Sequence, residues 1–371
     1  MSTFIQLHLL TSYPPSNLNR DDLGRPKTAI MGGKTRLRVS SQSLKRAWRT
    51  SDLFETALAG HIGKRTKRMG IELYKRLCEK GLADSKAKEI AKEIIAFFGA
   101  TESAEKDKPL KELESSQLVH FNQSEIEALI GLADKVAAEG KIDKEELKKL
   151  VAKRHDVDIS MFGRMLTGKE IVKVTDDPEA AVQVSHAITV HDVAIEDDYF
   201  TAVDDLNTGE DDLGAAHIGE TEFGAGVFYL YLCIDRDLLI KNLGGDKALA
   251  DKALQALLEA AAKVSPTGKQ NSFASRAYAS YVLAEKGDFQ PRALSTAFLQ
   301  SVKGNDQLEE AIKRLENTRN NLDGVYYGWE PVEKDGNGKD KPRVAKSMPS
   351  RKLNALTGEG SLDEIKKFVT E

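Results

Sequence analysis

Residues 32–52 read GGKTRLRVSSQSLKRAWRTSD, and the change of period inside that stretch sets the fold. In TRLRV, charged and apolar side chains alternate as they do on a short strand. The Ser-rich break that follows supplies a helix N-cap at Ser40 or Ser41. From there the period becomes helical. Gln42, Lys45, Arg46 and Arg49 fall at i, i+3, i+4 and i+7 and line one face, while Leu44, Ala47 and Trp48 have the complementary spacing and turn toward a core. The start of such a helix presents unpaired backbone N–H groups and the positive end of its dipole, here beside Ser40, Ser41 and Ser43. An anion site follows from those two facts.

The surroundings carry the same sign. From Arg20 to Arg49, nine Lys or Arg (Arg20, Arg25, Lys27, Lys34, Arg36, Arg38, Lys45, Arg46, Arg49) stand against Asp21 and Asp22, a balance of +7 in a chain of net charge −4. The strand's period of two sets Arg36 and Arg38 on one side. An isolated Lys–Arg pair reads as a solvated surface. Cations that share a helix face beside a Ser-rich helix start read better as contacts to a phosphate backbone. The negative net charge excludes a protein that coats nucleic acid with its whole surface. Acid collects elsewhere, at IEDD (195–198) and GEDD (209–212).

Working outward, TFIQLHLL (3–10) alternates Ile5, Leu7 and Leu9 with Phe4, Gln6, His8 and Leu10 and reads as a central strand with one wholly apolar face. A Pro/Asn/Asp/Gly-rich loop spans Thr11 to Gly33. From about 60 to 160 the chain turns Ala/Leu/Lys/Glu-rich, as in DSKAKEIAKEIIAFFG and KIDKEELKKLVAKRH, which predicts a helical insertion. Strand character returns at 180–194 (AAVQVSHAITVHDVA) and 223–235 (FGAGVFYLYLCID), followed by a helix at 246–264 and a strand at 275–285. Without the insertion the order is strand, helix, strand, strand, helix, strand. That predicts an α+β chain with a ferredoxin-like (RRM-like) βαββαβ core, a module of many RNA-binding domains. EKDGNGKDKPR (333–343) reads as a solvated loop.

Several chemistries have little support. GGKT ends like a phosphate-cradling NTPase loop, but Thr28 stands where that motif needs its first Gly, and a strand follows where a helix must start. His186 and His191 lie on opposite faces of a predicted strand, and Cys78 and Cys233 lack metal-site or disulfide spacing, so no metal or cofactor is expected. Asp21 and Asp22 offer acid near a phosphate chain, but no His or Lys is spaced to complete a nuclease site. Adjacent Tyr199 and Phe200 suit either base stacking or the anchoring of their loop, and Met165 beside Arg164 suits either contact or core. No window is apolar enough to span a membrane, and MSTFIQLHLL lacks the features of a secretion signal, so a cytoplasmic protein is expected.

In order along the chain, LNRDD (18–22), GGKTRLRVSSQSLKRAWR (32–49), GRM (163–165), SHAITVH (185–191), YFTAVDDL (199–206) and EFGAGVFY (222–229) resemble the CasC family. These are the backbone subunits of the type I-E CRISPR Cascade complex, within the repeat-associated RNA-binding superfamily. The resemblance implies a non-enzymatic, hand-shaped subunit that polymerises along a CRISPR RNA and presents it to target DNA beside large, small, guide-capping and guide-processing subunits. It implies a palm in two parts (1–60 and 166–371), a helical finger insertion (61–165) and a thumb hairpin at about 193–224.

Carried onto this chain, palm contacts to RNA fall on Arg20, Lys27, Ser40, Gln42, Lys45, Arg46 and Arg49. The thumb's displacement of a base falls on Tyr199 and Phe200, with Met165 beside them. Lys135, Lys141, Lys144, Lys148 and Lys149 of the finger are candidate contacts to target DNA. Position 199 is Tyr where the family carries Trp, and TGEDDL (208–213) reads as a longer acidic tip that meets a neighbouring copy's basic palm. The rival readings are a ribonuclease of the same superfamily and a general RNA chaperone.

Overall fold

Ile5, Leu7 and Leu9 alternate with Gln6, His8 and Leu10 along the first strand, and both sets are buried. A strand covered on both faces sits inside a sheet. The structure, a computed structural model, describes residues 2–142, 144–149, 155–168, 171, 178–202, 217–334 and 339–371. The chain divides into two compact units. Met1–Phe54, Gln183–Ile234 and Leu254–Glu371 form the first, and Glu55–Val182 with Asp235–Ala253 form the second.

The first unit is built on β1 (Phe4–Ser16), β2 (Thr28–Met31), β3 (Lys34–Val39), helix α1 (Ser41–Arg49), β4 (Ala187–Thr189), β5 (Glu196–Ala202), β6 (His217–Asp235), β7 (Ala279–Gly287), helix α2 (Gln307–Tyr327), β8 (Ser350–Asn354) and helix α3 (Leu362–Thr370). Neighbours across the sheet run β8-β7-β1-β6-β4-β3-β2. β1 with β7, β7 with β8, β2 with β3, β3 with β4, β4 with β6 and β5 with β6 pair antiparallel. The chain is therefore mixed α/β with an antiparallel sheet and helices. α2 covers one face, where Ala311, Ile312 and Leu315 meet Leu10, Tyr229, Leu283 and Phe298.

Within the first forty residues, the sequence reading and the sheet differ at two places. β1 runs on through Pro14 and Pro15 to Ser16, beyond its last partner in β7, Ala279 opposite Thr11. Thr28–Met31, read as loop, is β2, joined to β3 by Gly32 and Gly33 with φ of 60° and 72°. Two positive φ values in a two-residue link make the hairpin turn whose twist matches its strands.

The second face of β1 is polar because it carries a buried ion network. The Leu294 N–H donates to the Tyr229 hydroxyl (2.9 Å), which lies 2.9 Å from His8 Nδ1; His8 Nε2 lies 3.1 Å from Glu285. That chain fixes the His8 tautomer with its proton on Nε2. Glu285 also accepts two bonds from Arg292 and one from Arg319, and Arg292 reaches Asp323 at 2.7 Å. Buried charges persist only when paired this fully. Burial pushes the His8 pKa below its ordinary value and outweighs Glu285. Burial alone raises Glu285, but the hydrogen bonds and charges of His8 and Arg292 hold its carboxyl well below the usual range.

In the second unit, helices Met69–Glu79, Asp84–Phe98 and Gln123–Glu139 share a core of residues such as Leu73, Leu77, Ile90, Ile94, Leu129 and Val136. Glu125 reaches back to the Asn122 N–H (2.9 Å) at a helix start and also takes a two-pronged bond from Arg164 (2.7 and 3.1 Å). Both side chains of that ion pair are fully buried.

Candidate nucleic-acid interface

The loop before β2 is a folded platform. Asp21 accepts backbone N–H groups from Leu23 and Arg25 (both 2.9 Å), closing a turn, and the Lys27 N–H donates to the Asn19 carbonyl (2.8 Å). The Arg38 N–H then donates to the Lys27 carbonyl (2.7 Å), and Asn19 Oδ1 accepts the Ser40 N–H (2.9 Å). Loop, strand and helix start are thus tied at one place. The backbone bond from Arg25, with that from Leu23, holds the Asp21 carboxyl below the usual carboxylate range.

α1 starts where an N-cap was expected. Ser40 has extended backbone (φ −69°, ψ 145°), is buried, and its hydroxyl accepts the Ser43 N–H at 3.4 Å. Its side chain serves the helix. Leu44 and Trp48 are buried, Trp48 completely. The opposite face presents Gln42 and Arg46 as exposed and Lys45 and Arg49 as half-buried side chains. Burial lowers the Lys45 pKa. The first turn holds no acid, and Arg46 and Arg49 lie in the last turn, where cations suit the dipole.

Arg20 and Arg46 line one cleft of about 580 Å³ with Ser43, Thr50, Asp22 and Gly268. A side chain at 268 is excluded, because its Cβ would lie 2.3 Å from the Leu18 carbonyl oxygen. The cleft therefore has a backbone wall. Lys27 lies toward the other end of α1 with Arg38, where His186 also stands. That histidine is exposed, and its Nδ1 accepts the Ser41 N–H at 3.1 Å. Desolvation, with the nearby charges of Arg38 and Lys27, pushes its pKa down.

His186 belongs to this surface although its sequence setting suggested only a strand residue. Its exposure comes from the break between Val182–Val184 and β4. His191, by contrast, is buried, and its Nε2 accepts the Val227 N–H at 3.2 Å. Arg36 corrects the sequence reading. It is fully buried and donates to the carbonyls of Thr189 (3.1 Å) and Phe298 (3.0 Å), so it does not extend the cationic face.

Tyr199 and Phe200 lie on β5, every residue of which is exposed. As strand neighbours they project to opposite faces. Tyr199 stands opposite Glu220 and Phe200 opposite Gly219. A Cβ on Gly219 would lie 2.3 Å from the Phe200 ring, so the glycine lets that ring lie across the hairpin. The acidic TGEDDL (208–213) lies outside the described residues.

Met165, in the second unit, is 70% exposed, and it follows Arg164, which the buried pair with Glu125 anchors. Of the finger lysines, Lys135 pairs with Glu146 and Lys148 with Glu145, each at 2.6 Å, while Lys141 and Lys149 are exposed. The Lys144 side chain lies outside the description. Among the described residues, no group of three His, Cys, Asp or Glu is placed to hold a metal, and no helix is long and apolar enough to cross a membrane.

The sheet, its helices and a cationic helix edge define a mixed α/β protein with a basic surface along α1. The CT1975-like protein family matches residues 5–366, and the chain belongs to that family, in agreement with the CasC resemblance of its motifs. A chain of a solved structure described as a CRISPR RNA-guided surveillance complex, pre-nicking, is 34% identical, with 87% of this chain and 89% of that one covered and a TM-score of 0.74. A chain of a second CRISPR RNA-guided surveillance complex is alike in fold, at 24% identity, 99% of each chain and a TM-score of 0.71. No curated protein matches the chain in sequence.

Proposed function

We propose that the protein is a non-catalytic backbone subunit of a type I-E Cascade complex in the cytoplasm. It binds CRISPR RNA by its phosphate backbone, polymerises along it beside the other Cascade subunits and presents it for pairing with target DNA. The observation that carries this reading is the outer face of α1, where Gln42, Lys45, Arg46 and Arg49 share one side of a helix whose end adjoins the Arg20–Arg46 cleft. The family and the 34% identical chain of a CRISPR RNA-guided complex support the class of RNA. The strand order β7-β1-β6-β4 supports a ferredoxin-like palm, since it has the order of that module's fourth, first, third and second strands.

Holding phosphate and shape rather than base edges suits a surface that accepts any guide, because pairing carries the sequence. A non-catalytic role is favoured by Asp21, whose carboxylate is committed to its own turn. In this reading Tyr199, Phe200 and Met165 act on a displaced base, and the finger lysines, chiefly Lys141 and Lys149, approach target DNA. The test is to sequence the RNA that co-purifies with the tagged protein from its native cells. Repeat-spacer RNAs of uniform length are expected; a broad mixture of cellular RNAs would contradict the reading in favour of a general chaperone.

A further inference from the structure

A second cavity, of about 230 Å³, opens in the first unit next to the start of α1. Its lining is mostly apolar and comes from separate elements: Met31 of β2, His186 before β4, Tyr229 and Tyr231 of β6, and Ala293 and Phe298 of the segment after β7. The Tyr229 and Phe298 rings lie 5.2 Å apart in its buried wall.

The walls are held apart by buried polar contacts that the phosphate-binding surface does not use. Arg36 ties Thr189 to Phe298 through their carbonyls. The Tyr229 hydroxyl holds the Leu294 N–H, and Arg292, one residue before Ala293, is locked to Glu285 and Asp323. The Tyr231 hydroxyl donates to Gln6 at 2.8 Å. At the hairpin tip, Gly32 admits the Leu299 carbonyl oxygen to within 1.7 Å of where a Cβ would stand, which sets Met31 against this segment. Such a frame keeps an apolar opening that ordinary core packing would close.

We propose that this cavity receives one nucleobase of the single strand that α1 holds by its backbone. The inference rests on the reading of α1 as an RNA surface. His186 joins the two features: it lines the cavity and also accepts the Ser41 N–H of α1. A neutral His186 in this bond carries its proton on Nε2, and its lowered pKa favours that form. A base seated here therefore has its own phosphate beside a helix start and the cations Lys27 and Arg38. Rings and aliphatic groups grip the face that every base has, so the seat tolerates any base.

The test compares binding of an oligouridylate with binding of an oligomer of the same length and charge whose riboses are abasic. Ala293 is exposed at the rim, so Ala293→Phe fills the opening without entering the core, and Ala293→Ser is the control. The expected result is that Ala293→Phe loses about fivefold to about 150-fold of the preference for the base-bearing strand, the range of one base–aromatic stack. Ala293→Ser keeps the preference, and the salt slopes and melting midpoints of both variants stay at the parent's. An unchanged preference in Ala293→Phe overturns the inference and leaves the backbone reading standing. Loss of self-association with preference intact also overturns it, and assigns the cavity to a neighbouring copy. Failure of the parent protein to bind either oligomer overturns both readings.

Discussion

At the residue scale, the face of α1 was legible because a nine-residue helix separates cations from Leu44 and Trp48 by spacing alone. Arg36 was not, because a period of two says which residues share a side but not which side is covered, and β3 is enclosed between β2 and β4. His186 was not legible either, since its role depends on a contact with Ser41, 145 positions away in sequence. Two substitutions separate cap from contact. Ser40→Ala should lower unfolding free energy by about 1 kcal/mol through the lost N-cap, read from urea midpoints. Trp48→Ala should cost about 3–5 kcal/mol as a large buried ring is removed. A Ser40→Ala protein of full stability but weakened RNA binding would assign the hydroxyl to phosphate instead.

At the element scale, strands with strong apolar alternation were readable, and β2 and β8 were not. β2 is four residues long and β8 is an edge strand, SRKLN, whose partial exposure blurs any alternation. Gly32–Gly33 signals a hairpin only once Thr28–Met31 is recognised as a strand. The β5–β6 hairpin offers a test of placement. Gly219→Ala must displace the Phe200 ring, whereas a glycine replaced within a strand otherwise loses less entropy on folding. We expect unchanged thermal stability together with loss of the periodic pattern of base reactivity in the bound guide, measured by chemical probing. A retained pattern would remove Phe200 from base displacement. For the finger, Lys141→Glu with Lys149→Glu should weaken target DNA binding and flatten its salt dependence; unchanged values would leave these lysines as solvated surface.

At the scale of the whole molecule, the order of sheet strands other than β2 was readable through β7, because each follows a local pattern. The ion network of His8, Glu285, Arg292, Arg319 and Asp323 was not, since its members come from distant segments and look like ordinary surface charges. It makes stability depend on acid in a stated direction. His8 titrates lower in the folded chain than its ordinary 6.5, so the unfolded chain binds more protons below that pH and stability falls as pH drops through it. His186 acts with the same sign. Glu285 adds a second loss below its ordinary 4.5. Urea midpoints should therefore decline from pH 7.5 to 5.5 and again toward pH 3.5, and His8→Gln should reduce the first decline; equal midpoints at pH 7.5 and 5.5 would contradict this coupling.

The measurement that bears most directly on the central claim is the salt dependence of single-stranded RNA affinity for the parent protein and for the triple variant Lys45→Glu, Arg46→Glu, Arg49→Glu. Three lost phosphate contacts, at about 0.7 each, should flatten the log–log slope by about 2 and weaken unrelated RNA sequences alike. The same slope in both proteins would mean that the outer face of α1 does not hold the RNA backbone.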